Sequence, residues 1–476
     1  MVAQRGLRFG DRRSETLRSR LLPTLMVIMV LSLLSSCAKE SLAAPPEALG
    51  WFVDYLRIDT TNPPGREQAA AEFLRQILHR HGIATRLLVT PAGRTNLYAR
   101  LEPTAPGAGS SAGALVLNHH MDVVPPGPDW SVEPFSGLEK DGWIWGRGAV
   151  DAKSLGIAQL AAFLELHRRG GPKVRPVVYL AVADEEQGGA QGTGWLLDSY
   201  PELFADTAAV LGEGGANRVV AGRHFWWGIE TAQKRPLWLK ATTHGRGGHG
   251  SMLNPASAPH QLTLGLARLL NRPRDFRVTP EARRYLEAVR PFQSDYFGKM
   301  VADLDDIVQD ESPNERLFPG VANYLLDTIQ INVIETGHLI NVVPKQASAR
   351  IDIRLLPDAD EKAMLEEVRE LLGDRIELEV LLSSSKAEAS PLDSEIYRCL
   401  ELVLGESAPV VPAFIPGVTD ARYFRQIGVP AYGFSPFVLS AQETRGIHSV
   451  DERISRSAFL KGLEVYSEVV TACSGS

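Results

Sequence analysis

The sequence predicts an α/β fold: a mostly parallel central sheet with helices on both faces, interrupted by a smaller inserted α+β domain. Three observations carry that prediction. Strand-like and helix-like segments alternate from residue 46 to about residue 235. The run Val177–Val182 is continuously apolar and β-rich, as expected of a strand buried on both faces. The order then becomes β-α-β-β-α-β between about 236 and 386, before the α/β rhythm resumes.

The elements follow in order. Amphipathic helices are expected over 48–56 and 68–81, separated by the turn Thr61-Asn62-Pro63-Pro64-Gly65. Strands 96–101 and 114–118 flank a Pro/Gly/Ser loop at 103–113. Apolar residues at helical spacing predict a helix over 155–167, and the strand 177–182 comes next. A helix at 194–203 and a short strand at 208–211 complete the first part. The second part holds strand 236–243, helix 255–270, a charged helical stretch to about Asn323, strands 328–334 and 347–355, helix 361–372 and strand 376–382. After the loop 383–391 come helix 392–404, strand 431–434 and a closing helix 455–471. The domain reading is a main domain from 46–235 and 387–476, with an inserted domain at 236–386.

Length and composition fit this division. A chain of 476 residues is too long for one compact core. Hydrophobic content of 44% and aromatic content of 7% belong to a soluble globular protein.

Residues 1–36 stand apart. Six arginines precede an apolar run at 21–34 that is too short and too weakly bounded to span a bilayer as a mature helix. This is the pattern of a secretion signal. Its ending, Leu34-Ser35-Ser36-Cys37, resembles a bacterial lipobox, which implies cleavage before Cys37 and a lipid on that residue. The other reading is an ordinary signal peptide cut near Ala43-Ala44. Ala38 stands where an Asp would favour inner-membrane retention, so the expectation is an exported envelope or periplasmic protein anchored at the outer membrane.

Without residues 1–36, six arginines and two acids leave, and the formal net charge moves from −7 to −11. That balance argues against nucleic-acid binding and against a basic membrane-binding patch. Cys399 and Cys473 are the other two cysteines. Their spacing excludes a zinc knuckle or a disulfide scaffold, and leaves open whether they pair in an oxidising compartment.

The chemistry lies in seven scattered residues. His120 and Asp122 follow a strand, and side chains two apart on extended backbone point the same way. An Asp beside a ligating His can hold its second ring nitrogen. His119 points oppositely and reads as structural. Asp151 ends Gly146-Arg147-Gly148-Ala149-Val150, just before a helix, where it could be a ligand or a helix N-cap. Glu185-Glu186 follows the apolar strand; adjacent carboxylates repel unless a cation or shared proton compensates them. One could bind metal while the other serves as a general base. Glu213 ends the next strand, and His448 lies in a polar loop. Two His and several carboxylates make a mixed N/O set suited to two zinc or similar ions. No phosphate-cradling Gly loop and no Gly-x-Ser-x-Gly elbow is present.

Taken together, these motifs resemble the co-catalytic dizinc peptidase family of aminoacylases, Gly-X carboxypeptidases of the yeast carboxypeptidase S type, carnosinases and acetylornithine or succinyl-diaminopimelate deacylases. The resemblance covers roughly 46–476. It implies a zinc-exopeptidase-like catalytic domain and a ferredoxin-like lid that also serves dimerisation. It implies His120 and Glu213 as ligands of one metal, Glu186 and His448 of the other, and Asp151 as the bridge. Asp122 would orient His120, and Glu185 would be the general base. Glu rather than Asp at 213 is similar to the acylase and carboxypeptidase branch.

The inserted domain carries matching pieces. Gly247-Gly248-His249-Gly250-Ser251 resembles the family's lid motif, whose His stabilises the oxyanion, often in the partner subunit's site. Asn341 in Leu339-Ile340-Asn341-Val342-Val343-Pro344 and Arg354 in Asp352-Ile353-Arg354 resemble substrate contacts. The Arg354 fork would grip a free carboxylate. Gly417-Val418-Thr419-Asp420-Ala421-Arg422 resembles a loop near the site, with Val418 in place of a Gly. Segment 279–323 exceeds that of compact deacylases and resembles the Gly-X carboxypeptidase and secreted N-acyl-amino-acid hydrolase subgroup. It could cover the lid face used for dimers.

The implied activity is hydrolysis of an amide bond next to a C-terminal amino acid, with two divalent ions, zinc first and cobalt or manganese as alternatives. The implied partners are a small peptide or N-acyl amino acid and a second copy of the chain. The rival readings are a carnosinase-type dipeptidase and a non-catalytic binding module on a peptidase scaffold.

Overall fold

A computed structural model describes residues 45–104, 112–215 and 217–475. The signal segment and Cys37 lie outside the described residues. No helix among the described residues is long and apolar enough to cross a membrane.

The central sheet runs, from one edge, through Thr85–Val89, Thr95–Leu101, Val177–Val182, Ala114–His120, Thr207–Gly212, Ala431–Gly433, Arg223–Gln233 and Val410–Ile415. The four strands from 177–182 to 431–433 are mutually parallel. The pairs flanking them, 95–101 with 177–182 and 431–433 with 223–233, are antiparallel. Burial alternates as a period of two requires. Leu115, Leu117, Val177, Tyr179 and Ala181 enter one core with helices Ala48–Leu56, Lys153–Arg168 and Arg456–Cys473. Val116, Val178, Leu180 and Val182 enter the opposite core with Leu196, Phe204 and Phe424. Because neighbouring strands are parallel, 114–120, 177–182 and 207–212 all end at one edge of the sheet. The residues that follow them meet there, as ligand sites do in open α/β sheets.

The second sheet is antiparallel, in the order Thr328–Glu335, Gln346–Leu355, Arg235–His244, Ile376–Ser383. In chain order its strands stand 2-3-1-4, the ferredoxin-like arrangement. Helices Ala258–Leu270 and Glu361–Leu372 cover it through Leu262, Leu266, Met364 and Val368, packed on Leu237, Leu239, Ile351 and Ile353.

Two features depart from the sequence reading, and a third decides a pairing it left open. Strand Arg223–Gln233 crosses a stretch read without an element, and Val410–Ile415 pairs parallel to it. Pro412 masks that strand as a breaker. It is tolerated because 410–415 is the edge strand, where a missing N–H costs no ladder bond. Segment 279–323 does not cover a face of the inserted domain. Its helices Pro280–Val289, Asp295–Ala302 and Leu304–Ile307 share a core with Trp226, Ala232, Val411, Ala413 and Phe414, at the edge of the central sheet. Cys399 and Cys473 pair as a disulfide joining helix Glu395–Gly405 to the closing helix.

Candidate metal centre

The centre is built from strand ends. His120 closes a strand buried throughout. Its Nδ1 lies 2.8 Å from the Asp122 carbonyl oxygen. Its Nε2 lies 3.1 Å from Asp151 Oδ1 and 3.0 Å from Glu213 Oε2. His448 approaches from the other side, with Nε2 3.1 Å from Asp151 Oδ2 and 3.1 Å from Glu186 Oε2. Each oxygen of Asp151 thus faces a different imidazole. The ligand atoms of His120, Asp151 and Glu186 lie within 4.8 Å of one another, as do those of His120, Glu185 and Glu213.

These residues fit a pair of cations. With its Nδ1–H donated to a carbonyl, His120 aims Nε2 at two carboxylate oxygens; burial opposes a charge there, but Glu213 and the hydrogen bonds outweigh it and raise the imidazole well above its ordinary pKa, so a cation would take the place of the Nε2 proton. Converging lone pairs repel unless a proton or a cation lies between them. The donor set, imidazole nitrogen with carboxylate oxygen, is that of zinc and related ions. His119, one residue away, points elsewhere: its Nδ1 meets Gln159 Oε1 at 2.9 Å, and burial lowers its pKa to about 3.

The electrostatics report the same crowding. Burial, then the charge of Glu213, pushes the Glu185 carboxyl well above its ordinary range. Burial raises Glu186 to about 7 against the opposing hydrogen bond from His448. Hydrogen bonds to Asp151 and Glu186 raise His448 to about 10. Burial opposes ionisation of Asp151, but hydrogen bonds from His120 and His448 outweigh it and hold this carboxyl far below the usual range.

One expectation needs correction. Asp122 does not hold the His120 ring chiefly through its carboxylate, whose nearest oxygen is 3.6 Å away. Its backbone carbonyl does that. The carboxylate accepts from Asn62 Nδ2 at 2.8 Å and from the backbone N–H groups of Glu185 and Glu186, both at 3.2 Å. Asp122 therefore fixes the turn that carries both glutamates.

The sequence reading also missed residues that support the ligands. Glu452 is fully buried and accepts from Arg147 Nη1 at 2.6 Å. It also accepts from the N–H groups of Gly148, Val150 and Asp151 at 3.0, 2.7 and 3.1 Å, so it shapes the loop that presents Asp151. Arg94 joins Glu67 to Asp184, reaching Asp184 Oδ1 at 2.8 Å. Asp184 has a φ of 73°, left-handed backbone that few non-glycine residues adopt, at the start of the Glu185–Gln187 turn. The only local signal for Glu452 was its place four residues after His448.

A cavity of about 410 Å³ opens beside the ligands, with Asp151, Glu213, Asn217 and Thr419 in its wall. Behind it Asp420 is buried and accepts from Thr193 Oγ1 at 2.8 Å, and burial raises it to about 7. Arg422 donates to the carbonyls of Gly188 and Thr419, tying the 417–422 loop to the Glu185–Glu186 turn.

The inserted-domain residues lie elsewhere. Gly248-His249 pairs antiparallel with Val342-Val343, and Gly250 N–H donates to the Asn341 carbonyl at 2.8 Å. His249 and Asn341 are thus together on an exposed ribbon, and neither lines the metal cavity. His249 Nδ1 accepts from Ser251 N–H at 3.2 Å, which leaves Nε2–H as an outward donor. Arg354 was expected as an open clamp. Its fork is closed on Asp352 at 2.7 and 3.0 Å, with the guanidinium 5.7 Å from the Trp238 ring centroid.

Residues 116–472 match the model of peptidase family M20/M25/M40. Aminoacylase-1 of Sus scrofa is 29% identical over 436 residues, covering 88% of this chain and 94% of its own. The N-fatty-acyl-amino acid synthase/hydrolase of Xenopus tropicalis is 29% identical over 386 residues, covering 75% of this chain and 71% of its own. Among solved structures, an M20 family metallo-carboxypeptidase from Sulfolobus solfataricus superimposes with a TM-score of 0.70 at 19% identity, over 91% of this chain and 100% of its own. Human carnosine dipeptidase 1 gives 0.63 at 15% identity, over 90% and 97%. These two structures share the fold.

Proposed function

Because this chain belongs to peptidase family M20/M25/M40 and is a metal-dependent hydrolase, we propose that it cleaves the amide bond joining an acyl or aminoacyl group to a C-terminal amino acid. The observation that carries the reading is Asp151, with one oxygen 3.1 Å from each of two imidazoles. His120 and Glu213 would hold one divalent cation, Glu186 and His448 the second, with Asp151 shared. Zinc suits the set best, and cobalt or manganese would also fit it. When bound, the pair supplies carbonyl polarisation and a more acidic water.

The chain's own residues do the rest. Glu185 stands within ligand range of His120 and Glu213, and its raised pKa suits a group that takes and returns a proton. It would accept the proton of the attacking water and pass it to the leaving nitrogen. Asp122 keeps that carboxylate in place through the backbone of the turn. His249 Nε2–H would donate to the developing oxyanion once the ribbon reaches the centre, from its own chain or from a second copy. Asn341 beside it would contact the substrate, and Arg354, exchanged from Asp352, would grip the product-side carboxylate.

Export as a lipoprotein anchored through Cys37 completes the reading. The Cys399–Cys473 disulfide supports it, since such bonds persist in oxidising compartments. In labelled cells Cys37→Ser would then carry no lipid.

An activity screen tests the function. The protein, loaded with zinc, cobalt or manganese, is offered N-acyl amino acids, Gly-X dipeptides and the C-terminal amides of both. Cleavage of the free acids and slow cleavage of the amides is expected. Equal rates would remove the Arg354 clamp, and no cleavage of any of them would remove the proposal.

A further inference from the structure

The central sheet and the inserted sheet are joined where the chain crosses between them. Strand 223–233 ends at Gln233 and strand 235–244 begins two residues later; the chain returns through the loop that follows strand 376–383. Residues of both crossings line a cavity of about 20 Å³. Four of its lining side chains are cations: Lys234, Arg235, Arg422 and Arg425. They are 0, 5, 4 and 6% exposed, so water screens none of them well.

Their charges are unevenly answered. Arg425 pairs with buried Glu230, Nη1 to Oε1 at 2.6 Å. Lys234 donates to the Leu326 carbonyl at 2.8 Å, and Arg422 donates to the carbonyls of Thr419 and Gly188. Neither forms an ion pair among the described residues. Arg235 donates to the carbonyls of Ser384 and Ala359 at 2.8 and 2.5 Å, and its one ion pair there is the long contact with Glu361 at 3.8 Å. Its buried Nε–H finds no acceptor among the described residues. The two acids in the wall, Glu281 and Glu388, are half-buried and exposed, and pair with none of the four cations. Asp327 and Asp358 act on this cluster from farther off and pair with Arg277. Burial pushes Lys234 down to about 8, as expected of an ammonium without a counter-charge in contact.

Carbonyl oxygens satisfy hydrogen bonds but cancel no charge, and a buried surplus of positive charge is costly unless an anion meets it. The volume sets the size of that anion. One water needs about 10–15 Å³, so the cavity holds a single small occupant and excludes phosphate, sulfate and carboxylic acids. A water fits but brings no charge. A spherical anion brings one and accepts N–H donors from any direction.

We propose that this cavity binds one monatomic anion of the size of chloride. The bound ion draws together Lys234 and Arg235 of the first crossing and Arg422, which holds the Gly188 carbonyl beside the Glu185–Glu186 turn. It thereby fixes the inserted domain on the central sheet. The inference does not depend on the reaction at the metal centre.

The test uses the full chain. Sodium chloride is exchanged for sodium gluconate at constant ionic strength, which keeps screening equal while offering an anion too large for the cavity. Tm should be about 2–5 °C higher in chloride, and the rise should saturate as a single site does. Crystals grown in sodium bromide should show an anomalous peak in the cavity. Lys234→Met and Arg235→Gln should each lose the chloride-dependent rise, whatever their own Tm. If neither variant folds, the chloride series and the bromide peak on the unaltered chain decide. Equal Tm in the two salts overturns the proposal, as does a rise retained in both folded variants. A bromide peak without any chloride effect in solution marks an adventitious ion only and also overturns it.

Discussion

The metal centre and the exposed ribbon of the inserted domain are held in opposite ways. At the centre, His120, Glu186 and Glu213 follow strands of a buried parallel sheet, and a further layer fixes the backbone: Glu452 beneath Asp151, and Asp122 beneath the two glutamates. On the ribbon, His249 and Asn341 are exposed, while Arg354 on the neighbouring sheet is satisfied by Asp352. The candidate ligands stand together already, whereas His249, Asn341 and Arg354, in the roles proposed for them, would need a movement or a second chain to reach the substrate. A rigid site gains its rate from groups already in place, and a mobile one gains selectivity by closing.

The largest expected effect lies at the shared ligand. Asp151→Ala should leave at most one cation per chain by elemental analysis and cut turnover by roughly 10³-fold or more, since carbonyl polarisation is worth several kcal/mol. His249→Ala is the matching change on the ribbon. It should lower kcat by about 10² to 10³ and leave metal content at the wild-type value. Loss of metal there would break the division between the two regions.

Supporting residues should fall between these extremes. Glu452→Ala strands the buried Arg147 and three N–H groups, so it should cost about 3–5 kcal/mol of stability in chemical denaturation. It should also weaken metal binding by about 10- to 100-fold.

A pH measurement sharpens the same contrast. In the metal-free centre His448 is raised to about 10, so at pH 7 it holds a proton that a metal must displace. Metal uptake should release protons at pH 7 and weaken as pH falls. Affinity independent of pH between 6 and 8 would contradict the coupling.

The smallest effect on chemistry is expected farthest away. Replacing Cys399 and Cys473 with Ala opens a closure spanning 74 residues and should cost about 2–4 kcal/mol of stability, with metal content unchanged.

His120, Asp151, Glu186 and Glu213 were legible because each follows an apolar strand or a Gly-rich turn, whereas His448, in a polar loop, was placed only by the family resemblance. What supports them was not. Asn62 lies 60 residues before Asp122, and Glu452 lies 304 residues after Gly148. Partners that distant are chosen by tertiary packing and leave no local pattern. The same holds for the sheet. Val177–Val182 announced itself by an unbroken apolar run, while 410–415 was hidden by Pro412, harmless only at an edge. Segment 279–323 looked charged and helical, but its neighbours were strands 223–233 and 410–415, which the sequence reading lacked. Without them its docking face could not be found.

The central claim is that the centre is a two-cation hydrolase in which Glu185 moves the proton. Glu185→Gln tests it most directly, with metal stoichiometry and single-turnover hydrolysis of an N-acyl amino acid measured on the same preparation. Two cations per chain and turnover lowered by about 10² to 10⁴ are expected. Turnover near wild type with both cations bound would contradict the claim.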